Sequence, residues 1–168
     1  VGCCWWQGHT DVLIFLFGGR EGMFGKALLN HQKDEIEQQL NFWQTLFPDR
    51  LYMELIRTGR EDEERFIRAA TALAAEKDLP VVATNDVRFL TPDQFEAHEA
   101  KVCIHEGRQL DDPRRPRNYS EHQYLRSAEE MTALFEDIPE AIENTVEIAK
   151  RCNLQLTLGE HYLPDFPV

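Results

Sequence analysis

Three short apolar runs, each followed by a stretch of helical periodicity, restrict this chain to few folds. Residues 51–57 (Leu-Tyr-Met-Glu-Leu-Ile-Arg) and 80–84 (Pro-Val-Val-Ala-Thr) are short, apolar and bounded by turn residues, the pattern of buried strands. Residues 11–17 read as an earlier strand of the same kind, and Gly18-Gly19-Arg20-Glu21-Gly22 turns the chain into a helical stretch. Between the first two strands, Ile36, Leu40, Trp43 and Phe47 lie on one face of a helix over residues 33–47, and Pro48-Asp49 stops it. Before the third strand, Glu61 to Glu64 complement the dipole of a helix whose buried face is Phe66, Ala70, Leu73 and Ala74. Strands that alternate with helices in this way form parallel βαβ units with right-handed crossovers. The order is that of half a barrel or part of an open sheet.

The later chain reads as mainly helical. Thr91 caps and Pro92 opens a helix running to about Glu106, with Gly107 as its end. Residues 108–120 shift to Pro, Arg and Asp, the composition of a long connection. Ser127-Ala128-Glu129-Glu130 is a capping box leading into Met131, Leu134 and Phe135, and Asp137-Ile138-Pro139-Glu140 starts a helix that buries Ile142, Val146 and Ile148. Residues 154–158 are expected to add one more strand.

Charge narrows the function classes. A formal net charge of −12 argues against wrapping nucleic acid by general electrostatics, which needs clustered Lys and Arg. Arg108, Arg114, Arg115 and Arg117 are concentrated, but Asp111 and Asp112 lie among them, so a salt-linked connecting loop is favoured over a nucleic-acid contact. Cys3, Cys4, Cys103 and Cys152 have no metal-ligand spacing and read as reduced thiols. No run is long enough to span a membrane, no signal peptide is visible, and a cytoplasmic location is the default expectation. Val1 is not a Met and residues 165–168 bring no terminating cap, so a piece of a longer polypeptide is expected.

The third strand ends abruptly in Asn85-Asp86-Val87-Arg88. The carboxyl end of a strand is where chemistry sits in barrels and open α/β sheets, because a rigid strand there meets an exposed loop. Asp86 is therefore a candidate metal ligand or base, although an isolated Asp at such a place more often caps a loop. His98 and His105 share a helix face without an acidic partner and read as packing or surface residues; His31, His122 and His161 have no constellation around them.

The order of five segments adds to this reading. Residues 52–60 (Tyr-Met-Glu-Leu-Ile-Arg-Thr-Gly-Arg), 79–89 (Leu-Pro-Val-Val-Ala-Thr-Asn-Asp-Val-Arg-Phe), 110–113 (Leu-Asp-Asp-Pro), 124–131 (Tyr-Leu-Arg-Ser-Ala-Glu-Glu-Met) and 139–154 closely resemble the C-family of bacterial replicative DNA polymerases, the DNA polymerase III alpha subunits of proteobacterial type. The resemblance runs from about Val12 to Pro167. Val1 to Thr10 match nothing expected of that family, and Phe17 replaces a small polar residue usual before the glycine pair.

The resemblance implies the α/β fold of the later half of a PHP-type (polymerase and histidinol phosphatase) distorted (β/α)₇ barrel, with a mainly helical C-terminal extension. It implies an unmatched segment over 1–10, the C-terminal part of the PHP domain over 11–107, a connecting loop over 108–126, and over 127–168 a helical lead into the polymerase core. Metal-binding PHP domains carry Asp-x-His on the strand that here ends in Asp86-Val87-Arg88, and a further His where this chain has Thr58. Arg88 has no lone pair for a cation, and the Thr58 hydroxyl is a poor ligand. Asp86 is then a vestigial metal position, with Thr58 and Arg88 as degenerate ones, and Arg88 is expected to pair with Asp86 and nearby carboxylates.

On this resemblance no catalytic residue and no cofactor are expected within the segment, since the palm carboxylates that hold Mg²⁺ in the parent polymerase lie downstream. The implied partners are the remainder of the polymerase chain, the proofreading exonuclease subunit, other holoenzyme subunits and, through the parent, DNA. The alternatives are a working metal-dependent PHP phosphoesterase or nuclease and a free-standing interaction protein. A half barrel is also expected to leave an unpaired edge beside residues 12–17 and an uncovered apolar face.

Overall fold

A computed structural model of the chain describes residues 10–160. Three parallel strands, β1 (Phe15–Phe17), β2 (Leu51–Ile56) and β3 (Val81–Thr84), form a sheet in the order β1-β2-β3. Phe15 pairs with Leu51, and Met53 pairs with Phe17 on one side and Val81 on the other. Two helices, α1 (Met23–Leu29) and α2 (Lys33–Leu46), connect β1 to β2, and α3 (Glu63–Glu76) connects β2 to β3. The later chain adds α4 (Phe95–Glu106), α5 (Ala128–Leu134) and α6 (Pro139–Arg151). The architecture is mixed α/β with a small parallel sheet.

Alternation along the strands decides what the sheet buries. Leu51, Met53 and Leu55 face one side with Phe17, Val81 and Ala83, and that side meets Phe24, Ala27 and Leu28 of α1, Leu40 of α2, and Phe66, Ile67, Ala70 and Ala74 of α3. Met53, Leu55 and Ala70 are fully buried. The stripe read at Ile36, Leu40, Trp43 and Phe47 packs as expected, with the Trp43 ring stacked on Phe15 at 4.2 Å. Phe17 is a core residue whose ring stacks on Phe24 at 4.3 Å, so the departure at this position is filled by packing. Gly25 is required where α1 crosses the turn after β1, because a Cβ there would lie 2.1 Å from the Gly19 carbonyl oxygen.

The edge of β3 is closed by a helix. Successive carbonyls of a strand point to opposite edges. Met53 N–H donates to Pro80 O (2.8 Å), so the Val81 carbonyl points away from β2, and there Asn144 Nδ2 of α6 donates to it at 2.8 Å. The C-terminal turn of α6 is tied across the sheet by Arg151, which donates to the Tyr52 hydroxyl (2.9 Å) and to Asp49 O (3.0 Å).

Several expectations are corrected. The strand read over 11–17 is only Phe15–Phe17: Thr10–Val12 form a 3-10 turn closed by Leu13 N–H on Thr10 O, because β2 offers no partner before the Arg50 carbonyl that receives Phe15 N–H. The helix expected from Thr91 begins as a 3-10 turn, Pro92–Gln94, and the Thr91 side chain makes no capping bond; Gln94 Oε1 instead accepts from Leu90 N–H. Gly107 does end α4, in the left-handed region at φ +66. Residues 154–158 form no strand. Leu154, Leu156 and Leu158 are exposed, and no residue of 154–158 pairs with either edge of the sheet. The capping box forms as read, with Ser127 Oγ accepting from Glu130 N–H (3.2 Å) and Glu130 Oε2 accepting from Ser127 N–H (2.8 Å). Cys103 is buried and Cys152 exposed, both free; Cys3, Cys4 and His161 lie outside the described residues.

The outer edge of β1 has no partner among the described residues, and Val12 beside it is 85% exposed. Such an edge templates pairing with another chain. The isolated chain is therefore expected to self-associate, with a sedimentation coefficient that rises with concentration. Reversible, monomeric two-state unfolding would contradict this.

Candidate functional site

The loops after β2 and β3 meet residues 119–124 at the carboxyl ends of the strands, and charged side chains converge there. Thr58, immediately after β2, is fully buried, as is Gln123; Glu63, the first residue of α3, is 3% exposed. Burying a carboxylate is costly unless its oxygens are satisfied. Here each oxygen accepts twice. Glu63 Oε2 takes Thr58 N–H (2.6 Å) and Arg60 N–H (3.2 Å), and Oε1 takes the Thr58 hydroxyl (2.6 Å) and Arg60 Nε (3.0 Å).

Arg60 carries the network from one strand end to the next. Its Nε also donates to Thr58 Oγ1 (2.9 Å), and its Nη2 lies 3.3 Å from Asp86 Oδ2. Gln123 Nε2 donates to that same Oδ2 (2.9 Å) and to the Asp86 carbonyl (3.2 Å). Arg88 Nη2 lies 2.8 Å from Asp86 Oδ1, so the expected pairing of these two residues is present. The result is an alternating series, Glu63, Arg60, Asp86, Arg88, whose formal charges cancel. The Arg88 guanidinium also lies over the Tyr119 ring, 5.4 Å from its centroid.

The backbone around Asp86 is fixed from the opposite side. Asp86 adopts φ +43, a left-handed conformation open to Asp at modest cost. Asn85, 7% exposed, donates from Nδ2 to His122 O (3.1 Å) and Tyr124 O (2.7 Å), while Arg88 N–H donates to Gln123 O (2.8 Å). Ser120 Oγ donates to Thr58 O and so joins the same loop to the end of β2. On the sheet face leading to Asp86, Glu54 accepts from the Thr84 hydroxyl (2.7 Å). Burial raises the Glu54 carboxyl above its ordinary range; the Thr84 bond opposes this and the Asp86 charge adds to it.

A second clasp holds the C-terminal helices to this end of the sheet. Arg57 donates to both oxygens of Asp137 (2.6 and 2.9 Å), to Glu64 (2.9 Å) and to Leu134 O (2.8 Å), and its guanidinium lies 5.0 Å over the Phe135 ring. The hydrogen bond from Arg57 holds the Asp137 carboxyl below the usual range. The basic loop is salt-linked as expected: Arg115 pairs with buried Glu99, Arg114 with Asp112, and Arg108 with Glu106. His98 packs against Phe89 and Tyr119, while His105 is exposed.

These donors do not suit a divalent cation. Both oxygens of Asp86 are occupied by guanidinium or amide donors, and the Thr58 hydroxyl donates to one residue while accepting from another. Among the described residues, no three His, Cys, Asp or Glu side chains are grouped to hold a metal. The sequence brought Asp86, Arg88 and Thr58 into view, and the structure joins all three. It did not single out Arg60, Gln123 or the linking role of Glu63. The i,i+3 spacing of Arg60 and Glu63 was the available signal, but an acidic residue opening a helix is equally explained by the helix dipole.

No family model matches the chain. It is 55% identical over 163 residues to DNA polymerase III subunit alpha of Vibrio cholerae, covering 97% of this chain and 14% of that protein. Identity is 57% over 158 residues with the same subunit of Escherichia coli K12 (94% and 14%), and 53% over 163 residues with that of Pseudomonas aeruginosa (97% and 14%). The chain thus matches a fragment of the alpha subunit, and it spans 14% of the length of these relatives.

Removing a buried partner from a satisfied ion pair costs about 3–5 kcal/mol. Glu63→Ala in the full-length protein is accordingly expected to abolish hydrogen-exchange protection of the Thr58 and Arg60 amides; unchanged protection would contradict the network. Asp137 has a lowered pKa when folded, so its contribution is full above the ordinary Asp value of 3.8 and is lost as pH falls through the folded value. Acid should loosen α5 and α6 in that range, and Asp137→Asn should remove that part of the pH dependence.

Proposed function

We propose that this chain is a structural segment of a bacterial replicative DNA polymerase, a metal-depleted PHP-type scaffold that supports the polymerase core and docks the proofreading exonuclease. The parent protein, on this reading, is a DNA-directed DNA polymerase acting in replication in the cytoplasm, with Mg²⁺ held by carboxylates outside the segment. The three parallel strands are part of the later half of a distorted (β/α)₇ barrel over residues 11–107, 108–126 is the connection, and 127–168 leads into the core. Partners are the rest of the polymerase chain, the exonuclease and other holoenzyme subunits, and DNA through the parent. No helix among the described residues is long and apolar enough to cross a membrane.

The observation that carries the reading is the Arg88 guanidinium on Asp86 Oδ1, with Arg60 and Gln123 on Oδ2. A guanidinium stays charged and offers only donors, so it supplies the positive charge of a cation without its Lewis acidity. That favours a scaffold over the alternative, a metal-dependent phosphoesterase or nuclease. Asp86 is then a vestigial ligand, and Thr58 and Arg88 are degenerate ones.

Asp86→Asn in the full-length protein separates the two readings. The scaffold predicts an unchanged number of tightly bound divalent ions by elemental analysis, and primer extension within about twofold of the parent rate. Loss of bound ions, together with loss of a phosphatase activity, would establish the metalloenzyme instead.

A further inference from the structure

Residues 90–119 leave the end of the sheet and return to it at one place. Arg88 N–H donates to Gln123 O (2.8 Å), Leu125 N–H donates to Phe89 O (3.0 Å), and Phe89 bridges to Tyr124 in parallel register. Asn85 Nδ2 also donates to Tyr124 O (2.7 Å), and Ser120 Oγ ties the returning chain to Thr58 O. The two ends of the excursion are thus fastened side by side. What lies between them is free to move without parting the strands.

The excursion has almost no core of its own. Within residues 90–119 only Glu99 and Cys103 are buried, and none joins the apolar cluster that packs on the sheet. Among helices and strands, α4 packs substantially only on the Pro92–Gln94 turn that opens it. Segments with so few buried apolar contacts are the ones that open locally. One buried ion pair holds this one shut: Arg115 Nη1 meets Glu99 Oε2, with side chains 8% and 6% exposed. The same guanidinium donates from Nε to Leu110 O (3.0 Å), so it closes the loop on itself as well as on α4. Arg108 N–H adds a bond to Cys103 O (2.8 Å), and the His98 ring meets Tyr119 edge-on at 4.6 Å. Glu99 Oε1 is buried without a partner, which makes this closure weaker than that of Glu63, whose two oxygens each accept twice.

We propose that residues 90–119 form a hinged flap that opens as one cooperative unit while the sheet stays folded, with Glu99 and Arg115 as its latch. Opening lifts the Tyr119 ring from the Arg88 guanidinium and uncovers the Cys103 thiol. Asp86 lies on the sheet side of the hinge and keeps its contacts with Arg60, Arg88 and Gln123. The flap rests on bonds within this chain and stands independently of the scaffold reading.

Hydrogen exchange of the full-length protein, read by mass spectrometry, tests it. Peptides over α4 and over the hydrogen-bonded loop amides of Arg108, Asp112 and Arg115 are expected to exchange together, faster than those over β2 and β3. Arg115→Leu strands the Glu99 carboxylate and should speed exchange in both by about tenfold or more, with β2 and β3 unchanged. Adding Glu99→Gln removes the stranded charge and should return part of the lost protection. Labelling of Cys103 by a maleimide should rank the three proteins in the same order. The proposal is overturned if α4 exchanges only together with β2 and β3, or if α4 and the loop amides respond separately. Equal exchange in Arg115→Leu and the unsubstituted protein, or loss of β2 and β3 protection in that variant, would overturn it too.

Discussion

The Glu63 carboxylate is the point on which the strand-end architecture depends. Only its four accepted hydrogen bonds make so deep a burial tolerable, and all four come from Thr58 and Arg60. Those bonds fix the turn between β2 and α3 and hold the Arg60 side chain in the direction of Asp86. The positions of Asp86 and Arg88 follow from a carboxylate two elements away. A network of this kind is costly if partly satisfied and rigid if complete. Here the side chains of three buried members, Thr58, Glu63 and Gln123, are satisfied, and only Asn85 Oδ1 beside them lacks a partner.

The same end of the sheet also anchors the C-terminal helices. Arg57 and Thr58 are adjacent and point into different clasps, Arg57 toward Asp137 and Leu134, Thr58 toward Glu63. A strand alternates its side chains between faces, and a turn placed after Ile56 lets consecutive residues serve both. Helix α6 then runs back along β3, covering the Val81 carbonyl, and ends where Arg151 meets Tyr52. This three-stranded sheet is therefore closed on one edge by a helix and, among the described residues, open on the other.

Periodicity made much of this legible. The strands at 51–56 and 81–84, the stripe on α2 and the capping box at Ser127 follow from local pattern, which short-range sterics and hydrogen bonding enforce. Residues 11–14 and 154–158 failed because a strand exists only where its backbone pairs, and apolar spacing says nothing about whether a segment reaches a partner. The site was legible to the extent that chemistry is local. Arg88 two residues from Asp86 announces an ion pair, whereas Gln123 reaches Asp86 from 37 residues away and no pattern links them. Glu63 was hidden by an adequate simpler explanation, since acidic residues commonly open helices.

On the proposed reading, the strand ends keep the electrostatic balance of a metal site without its reactivity. The most direct measurement is a crystal structure of the full-length protein grown with Mn²⁺ and recorded at the manganese absorption edge. The account predicts no anomalous peak at Asp86, with Arg88 on Oδ1 and Arg60 on Oδ2. A manganese ion coordinated by Asp86, with Arg88 turned away, would contradict it.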